Sequence, residues 1–415
     1  MASPPVKPKP VTNPKTTYRM RWYWWGLLGL LLTLASYALA VRLVNSIDYL
    51  KYGTDFSSFW MSAKLILQGK SPYDIVAWGQ GFQRFSLGYL LTPVFLYPLP
   101  LALLLTPLGW LPFQSAYIVW VTFSLLMILA SMVFLLSLET NPRRKLFFVP
   151  LLIEMMLFRP TILTLTQGQV SGLFLFVLAL CAFLFQKGKW FWGGFLLGLL
   201  ALKPNLGLIL IVLVGIWLLL NKKWMALCGT LVSGIFLLIA GLIYNPAWVT
   251  QYLHVGSTKL SQTFGGSPTV WGLGALISHN QIKTTLILGS LAGLLILFGF
   301  FWSILRAHAV LRPVSVLALA VSVTLLVTPY TWTYDQLLLI LPLSALILAM
   351  DRRGARFLWS AGIFLALDVL VVILLFFDVM LQVEILNAFI PIIVFGMCLR
   401  YLTGPIPNNK KETVS

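Results

Sequence analysis

The chain has 415 residues, of which 59% are hydrophobic and only 10% are charged, and its formal net charge is +18. Apolar runs of about 20 residues repeat along it, which excludes a soluble domain around one core and indicates a polytopic integral membrane protein. The basic residues are spread among short loops instead of forming one patch, so they indicate membrane topology and not nucleic-acid binding.

The chain begins with a segment that cannot form a core. Residues 1–21 combine prolines with scattered lysines and threonines, a composition typical of a disordered tail. A first membrane span is expected over 22–44, because its apolar run is long and a cluster of tryptophans anchors its start. An outer loop over 45–112 follows.

The start of that outer loop contains the most informative stretch, from Tyr52 to Asp74. Its apolar residues recur at roughly helical spacing from Asp55 to Gly69, which predicts an amphipathic helix on the membrane surface. Asp55 stands where this helix begins. Two interpretations remain open for it: an ordinary helix cap, or a catalytic carboxylate at the lipid interface.

The number of spans depends on the proline-rich run 88–112. If this run stays outside as interfacial or re-entrant helices, both termini are cytoplasmic and 20 of the 29 Lys and Arg residues lie on that side. Twelve spans result: 22–44, 113–138, 146–162, 168–186, 190–203, 205–220, 224–245, 283–306, 312–329, 335–350, 356–377 and 382–402. The predicted fold class is an all-α membrane bundle over 22–402, with outer loops 45–112 and 246–282 and a cytoplasmic tail over 403–415.

This topology brings polar segments together on the non-cytoplasmic face. They are the Asp55 loop, residues 159–169, the corner at Lys203, loop 246–282 and the turn 328–336. Arg159 and Lys203 at helix ends either snorkel to the interface or bind an anion, and we favour binding for Lys203 because Pro204 breaks the helix there.

The class of activated donor that such a site could use can be restricted. The chain has no P-loop, no GxGxxG and no DxD motif, and nucleotide sugars are not available outside a bacterial inner membrane. A polyprenyl phosphate sugar is the activated donor that remains. Its phosphate can be held by lysine or arginine, so no metal or other cofactor is expected, and Asp55 is placed to take a proton from an acceptor hydroxyl.

Five motifs occur in order between about residues 50 and 340: TDFSSFWMSAKLILQGKSPYD, YPLPLALLLTPLGWLP, QGQVSGLFL, GGFLLGLLALKPNLGL and TPYTWTYDQ. In this set the chain resembles glycosyltransferase family 87. The resemblance implies a GT-C fold and an inverting transfer, from a polyprenyl phosphate sugar such as polyprenyl phosphate mannose to a lipid or glycan acceptor. It also implies Asp55 as general base, Lys203 as the lysine of the KP motif, and Gly168 and Gln169 as the Gly-Gln pair.

The last motif departs from the family pattern. Where several members carry a histidine after the tryptophan, this chain has Thr333, Tyr334 and Asp335. The candidate site residues are Asp55 as catalytic base, Lys203 and Arg159 for the donor phosphate, and Gln169, Trp332, Tyr334, Asp335, Asp74 and Trp60 for donor or acceptor.

Two other function classes remain open. A lipid-linked-sugar flippase or secondary transporter is also polytopic, although it should show an inverted repeat and charges near the midplane. A GT-C transferase with a diphosphate donor or a protein acceptor is the second alternative, and it could use aspartates as metal ligands.

Overall fold

The computed structural model describes residues 22–46, 55–87, 95–139, 158–263, 266–308, 311–352, 357–381 and 384–403. Within these ranges all regular elements are helical and none is a β-strand, which confirms the all-α class. The first tail lies outside the described residues, as do all but the first residue of the second tail and most of the predicted span 146–162.

The α-helices are numbered here in chain order. They are α1 Trp22–Ser46, α2 Phe56–Leu67, α3 Ile75–Arg84, α4 Leu99–Leu105, α5 Phe113–Ser137, α6 Arg159–Gln167, α7 Ser171–Gln186, α8 Trp190–Leu199, α9 Pro204–Leu220, α10 Trp224–Tyr244, α11 Trp248–Thr263, α12 Val270–Ile277, α13 Ile282–Ala307, α14 Pro313–Val327, α15 Ile340–Arg352, α16 Phe357–Leu381 and α17 Phe389–Leu402. Short 3₁₀ helices precede α9, α15 and α17 at Leu200–Leu202, Thr333–Leu339 and Ile385–Ala388, and another follows α4 at Thr106–Trp110.

Several helices have the length and composition of membrane spans. A helix rises about 1.5 Å per residue, so about 20 apolar residues cross a bilayer core. Five described segments meet this requirement: Gly29–Ser46, Phe113–Ser137, Trp224–Tyr244, Ile282–Ala307 and Ile385–Leu402. Other apolar helices, such as α7 and α9, have only 10–17 residues. The twelve-span count and the re-entrant helices therefore stay predictions.

Helix α14 lies at the centre of the bundle. Every residue from Val314 to Leu326 is buried, as expected of a helix that is apolar on all sides. It packs against α7, α9, α15 and α17. Because α14 ends at Val327, the turn 328–336 emerges at one end of the core and forms a wall of the candidate site.

Helix α2 occupies a different environment from the one its sequence predicts. Ten of its twelve residues are buried, including Ser57 and Ser62 on the polar face. It packs against α3, α4 and the 3₁₀ helix 106–110, and these elements cover it on several sides. The polar face that was expected to meet solvent is therefore covered by neighbouring elements, whereas the location of α2 at the membrane surface stays a prediction.

The turn between α6 and α7 is packed against the start of α2. Gly168 ends α6 with φ +66°, in the left-handed region, and its carbonyl accepts a hydrogen bond of 2.7 Å from the Trp120 indole. A Cβ at Gly168 would lie 2.5 Å from the Cβ of Phe56 and 2.9 Å from the ring of Tyr117. This close approach brings the next residue, Gln169, to the residue before α2, Asp55.

We expect Gly168→Ala to destabilise the protein far more than Gly188→Ala. Both glycines have φ near +70°, where alanine costs about 1–2 kcal/mol, but only Gly168 has atoms within contact distance of an added Cβ. The overpacking at Gly168 should add about 1–3 kcal/mol. Thermal unfolding of the purified variants in detergent measures the difference, and equal melting temperatures would contradict the packing described here.

Candidate active site

A cavity of about 400 Å³ lies beside the turn that follows α14. Its walls come from the start of α2, the chain before α4, α6, the start of α9, the turn itself and the segment before α17. The lining residues are Asp55, Ser58, Leu96, Tyr97, Leu163, Gln167, Lys203, Pro204, Asn205, Tyr330, Trp332, Tyr334, Asp335 and Glu384. Five of the nine predicted site residues are thus brought together: Asp55, Lys203, Trp332, Tyr334 and Asp335.

The carboxylate of Asp55 is hydrogen-bonded by another side chain and not by the backbone N–H groups at the start of α2. Its backbone is already helical, with φ −62° and ψ −21°, and its carboxylate makes no capping hydrogen bond to α2. Instead the Nε2 group of Gln169 donates a hydrogen bond to Asp55 Oδ2. The Tyr97 hydroxyl donates to the other end of the Gln169 amide at 3.4 Å. The capping interpretation is therefore wrong, and the carboxylate is available to the cavity that it lines.

Burial raises the pKa of the Asp55 carboxyl above its ordinary value. Hydrogen bonds from Gln169 and Tyr334 and the charge of Lys203 act in the opposite direction, because they favour the ionised form. A carboxylate with a raised pKa is a stronger base. The hydrogen-bond donors around Asp55 stabilise its ionised form, which is the form that accepts a proton. This balance suits proton abstraction from a hydroxyl near neutral pH.

Lys203 and Asp335 form a buried ion pair. Lys203 is only 4% exposed and Asp335 only 1%, and Nζ lies 2.5 Å from Oδ1. Ser171 at the start of α7 donates to the same oxygen at 2.8 Å, and Thr331 donates to Oδ2 at 2.9 Å. Pro204 ends the preceding 3₁₀ helix and begins α9, so the lysine emerges at the break and reaches into the cavity. The carboxylate is thus well satisfied, as a buried charge requires.

The charges that line the cavity are not balanced. Among its described lining residues, three are acidic, namely Asp55, Asp335 and Glu384, and only Lys203 is basic. Because Lys203 already pairs with Asp335, a bound anion would have to share this lysine. The sharing is chemically feasible, since an ammonium group carries three donors.

Arg159 is engaged elsewhere. Its guanidinium lies 2.5 Å from Asp378 of α16 and 3.5 Å from the side-chain oxygen of Asn387, and it is not among the cavity-lining residues. The described contacts therefore make Arg159 a link between α6 and the C-terminal helices. A role in binding the donor phosphate gains no support from this position.

Two other predicted site residues also lie away from the cavity. Asp74 is exposed and caps α3, because its carboxylate accepts hydrogen bonds from the backbone of Val76 and Ala77 at 2.9 and 3.0 Å. Trp60 is buried within α2 and donates to the carbonyl of Leu111 at 3.0 Å. Both contacts explain these residues structurally, without a ligand.

An apolar groove begins one turn further along α9. It encloses about 630 Å³. It is lined by Leu208, Ile209, Val212, Leu213, Trp271, Ser290, Gly293, Leu294, Leu297, Phe301 and Val327. Leu208, Val212 and Leu294 are each more than half exposed, so the rim of the groove faces outward. Since Pro204 and Asn205 line the cavity, the two spaces follow each other along the same helix.

Comparison with known proteins identifies the chain. The model of glycosyltransferase family 87 matches residues 95–329, which is more than half of the sequence. The chain belongs to glycosyltransferase family 87. It is therefore a membrane glycosyltransferase, in agreement with its apolar helices. A search of curated proteins finds no match.

The matched region of this family 87 glycosyltransferase includes Gln169 and Lys203 but not all of the cavity. Asp55 precedes the match, and the turn residues from Tyr330 to Asp335 follow it, as does Glu384. Sequence analysis missed Glu384, Tyr97, Asn205 and Tyr330 as lining residues. The motifs given above contain three of these residues, Tyr97, Asn205 and Tyr330, so their position in the sequence could have indicated them. Glu384 lies in a stretch without any motif.

Replacing Lys203 with methionine should destabilise the protein by about 3–5 kcal/mol, because Asp335 would remain buried without its counter-charge. The double variant Lys203→Met/Asp335→Asn should recover part of this loss, since asparagine removes the unpaired charge and its one side-chain oxygen still accepts from Ser171 or Thr331. Thermal unfolding in detergent checks both expectations, with the exposed Lys222→Ala as control. A melting temperature of Lys203→Met equal to that of wild type would show that the pair contributes nothing to the fold.

Proposed function

We propose that this glycosyltransferase moves a hexose, mannose in our expectation, from a polyprenyl phosphate donor to a hydroxyl of a lipid or glycan acceptor. The transfer takes place on the non-cytoplasmic face of the inner membrane. The observation that carries the proposal is a hydrogen-bonded, part-buried carboxylate, Asp55, in the same cavity as the ammonium group of Lys203. This combination supplies a base for the acceptor and a cation for a phosphate leaving group.

Asp55 acts as the general base in the proposed reaction. It removes the proton from the acceptor hydroxyl while that oxygen forms a bond to the anomeric carbon of the sugar. The bond from this carbon to the phosphate oxygen breaks on the opposite face, so the configuration inverts. The products are the glycosylated acceptor and polyprenyl phosphate.

Lys203 stabilises the departing phosphate. One of its three N–H donors is used by Asp335, which leaves two for phosphate oxygens. The lysine also stands at the N-terminus of α9, a helix of 17 residues, where the helix dipole favours negative charge. Such charge-assisted hydrogen bonds require no metal or other cofactor.

The apolar groove supports a lipid-linked donor. A polyprenyl chain needs an apolar path that begins at the phosphate, and the groove starts one turn along α9 from the cavity wall. Its outward-facing rim allows a long chain to extend into the bilayer. A water-soluble nucleotide sugar would have no use for this groove.

Family membership favours a transferase over the flippase or transporter considered above. A diphosphate donor and a protein acceptor remain as alternatives within the transferase class. Incubation of the purified protein with radiolabelled polyprenyl phosphate hexoses and lipid extract tests the proposal directly. Transfer only from a diphosphate donor, and its loss on adding EDTA, would contradict it.

Asp55→Asn should lower turnover by about 10²–10⁴-fold while the protein still folds and binds donor. Asparagine keeps the size of the side chain and an oxygen for the Gln169 hydrogen bond, but it cannot take up the proton. Initial rates at saturating donor measure the loss. Asp74→Asn, which alters an exposed cap, serves as the matched control and should remain active. Near wild-type turnover by Asp55→Asn would remove the base assignment.

The pH profile should reveal the environment of Asp55. Since the base is active only when ionised and burial raises its pKa, kcat/KM should fall as the pH drops through a value above that of an ordinary aspartate. Gln169→Met removes a donor that favours the ionised form, so the acidic limb should move to higher pH and activity should recover in alkali. A decrease of equal size at every pH would indicate a structural defect instead.

A further inference from the structure

Glu384 brings a third carboxylate into the cavity from a distant part of the chain. It immediately precedes the 3₁₀ helix 385–388 and lies beyond the region that matches the family model. Its side chain is partly exposed and lines the cavity together with Asp55 and Lys203. The transfer mechanism described above assigns no role to Glu384.

Thr333 fixes the orientation of this carboxylate. The backbone N–H and the hydroxyl of Thr333 both donate to Glu384 Oε2, at 2.9 and 2.6 Å. Within the described part of the chain, the second oxygen, Oε1, accepts no hydrogen bond. The cations Lys203 and Arg159 pair with other carboxylates, Asp335 and Asp378. Glu384 therefore presents one positioned acceptor oxygen at the wall of the cavity.

The chemistry around this oxygen fits a sugar and not a phosphate. A carboxylate repels a phosphate but accepts charge-assisted hydrogen bonds from hydroxyl groups. The neighbour of Thr333, Trp332, is partly exposed on the same wall, and an indole ring offers an apolar surface for the C–H groups of a sugar. A hydroxyl acceptor beside an aromatic face matches the two surfaces of a hexose.

The position of the turn indicates whether Glu384 faces the sugar of the donor or the acceptor. Thr333 lies two residues before Asp335, which pairs with Lys203, so one short turn holds both Glu384 and the partner of the lysine. The sugar that lies within reach of both is the one bonded directly to the donor phosphate. The acceptor, by contrast, has to approach Asp55.

We infer that Glu384 is a specificity-determining residue that binds a ring hydroxyl of the transferred hexose, with Thr333 as its positioning residue and Trp332 as the adjoining apolar surface. This inference rests on the proposed function. It also gives a role to the residues that replace the expected histidine in the last motif. Thr333 stands in that stretch, and its backbone N–H and hydroxyl donate hydrogen bonds to Glu384.

The test compares a donor with and without its sugar. Glu384→Ala should lower kcat/KM for the polyprenyl phosphate hexose by about 10–100-fold, the effect of losing a hydrogen bond to a charged group. Inhibition by sugar-free polyprenyl phosphate should stay within about twofold, because that lipid lacks the sugar hydroxyl that Glu384 is inferred to bind. Glu384→Gln keeps an oxygen for Thr333 and should show a smaller loss, and Thr333→Val should shift the same parameter in the same direction.

A direct binding measurement separates this inference from the proposed function. The affinities of both lipids are measured on purified wild type and Glu384→Ala, without any need for turnover. Loss of the preference for the sugar-bearing lipid in the variant supports the inference. Equal weakening of both lipids, or no change in either, overturns it. If wild type prefers the sugar-bearing lipid but transfers no sugar from it, the proposed function fails, while loss of that preference in Glu384→Ala still shows that Glu384 binds the sugar.

Discussion

Lys203 and Asp335 carry opposite charges into the interior, where the break before α9 meets the turn that follows α14. Removing two ions from water is costly, and the cost is offset only by close pairing and further hydrogen bonds. Ser171 and Thr331 supply these bonds, so Asp335 ties together the start of α7, the break and its own turn. The cavity exists because these three pieces of chain are held at one point.

Asp55 lies beside this framework, and the charge of Lys203 and the hydrogen bond from Tyr334 both favour its ionised form. The side chain of Gln169 donates a hydrogen bond to the Asp55 carboxylate. Gln169 is in turn placed by the left-handed turn at Gly168, which packs against Phe56. The proposed general base therefore directly precedes a helix that is mostly buried. Low water access raises the proton affinity of the carboxylate, while a fixed amide donor limits that effect.

Much of the helical framework follows from the sequence, because an apolar run must form a helix to satisfy its backbone in lipid. The span predicted over 113–138 appears as α5, Phe113–Ser137, and that over 224–245 as α10, Trp224–Tyr244. The burial of α2 was not predictable, since amphipathicity within a segment does not reveal which elements cover its polar face. The partner of Lys203 was likewise hidden, because 132 residues separate it from Asp335. Glu384 lies outside the motifs, so no local pattern marked it.

The outward-facing rim of the apolar groove has a kinetic consequence for the proposed donor. A substrate that enters sideways from the bilayer arrives by diffusion in two dimensions, so the rate depends on its mole fraction among the lipids and not on its amount per volume of solution. Added inert lipid or detergent would slow the enzyme by surface dilution alone. Polyprenyl phosphate released into the same groove would compete with fresh donor for Leu208, Val212 and Leu294. The composition of the surrounding membrane thereby becomes part of the rate law.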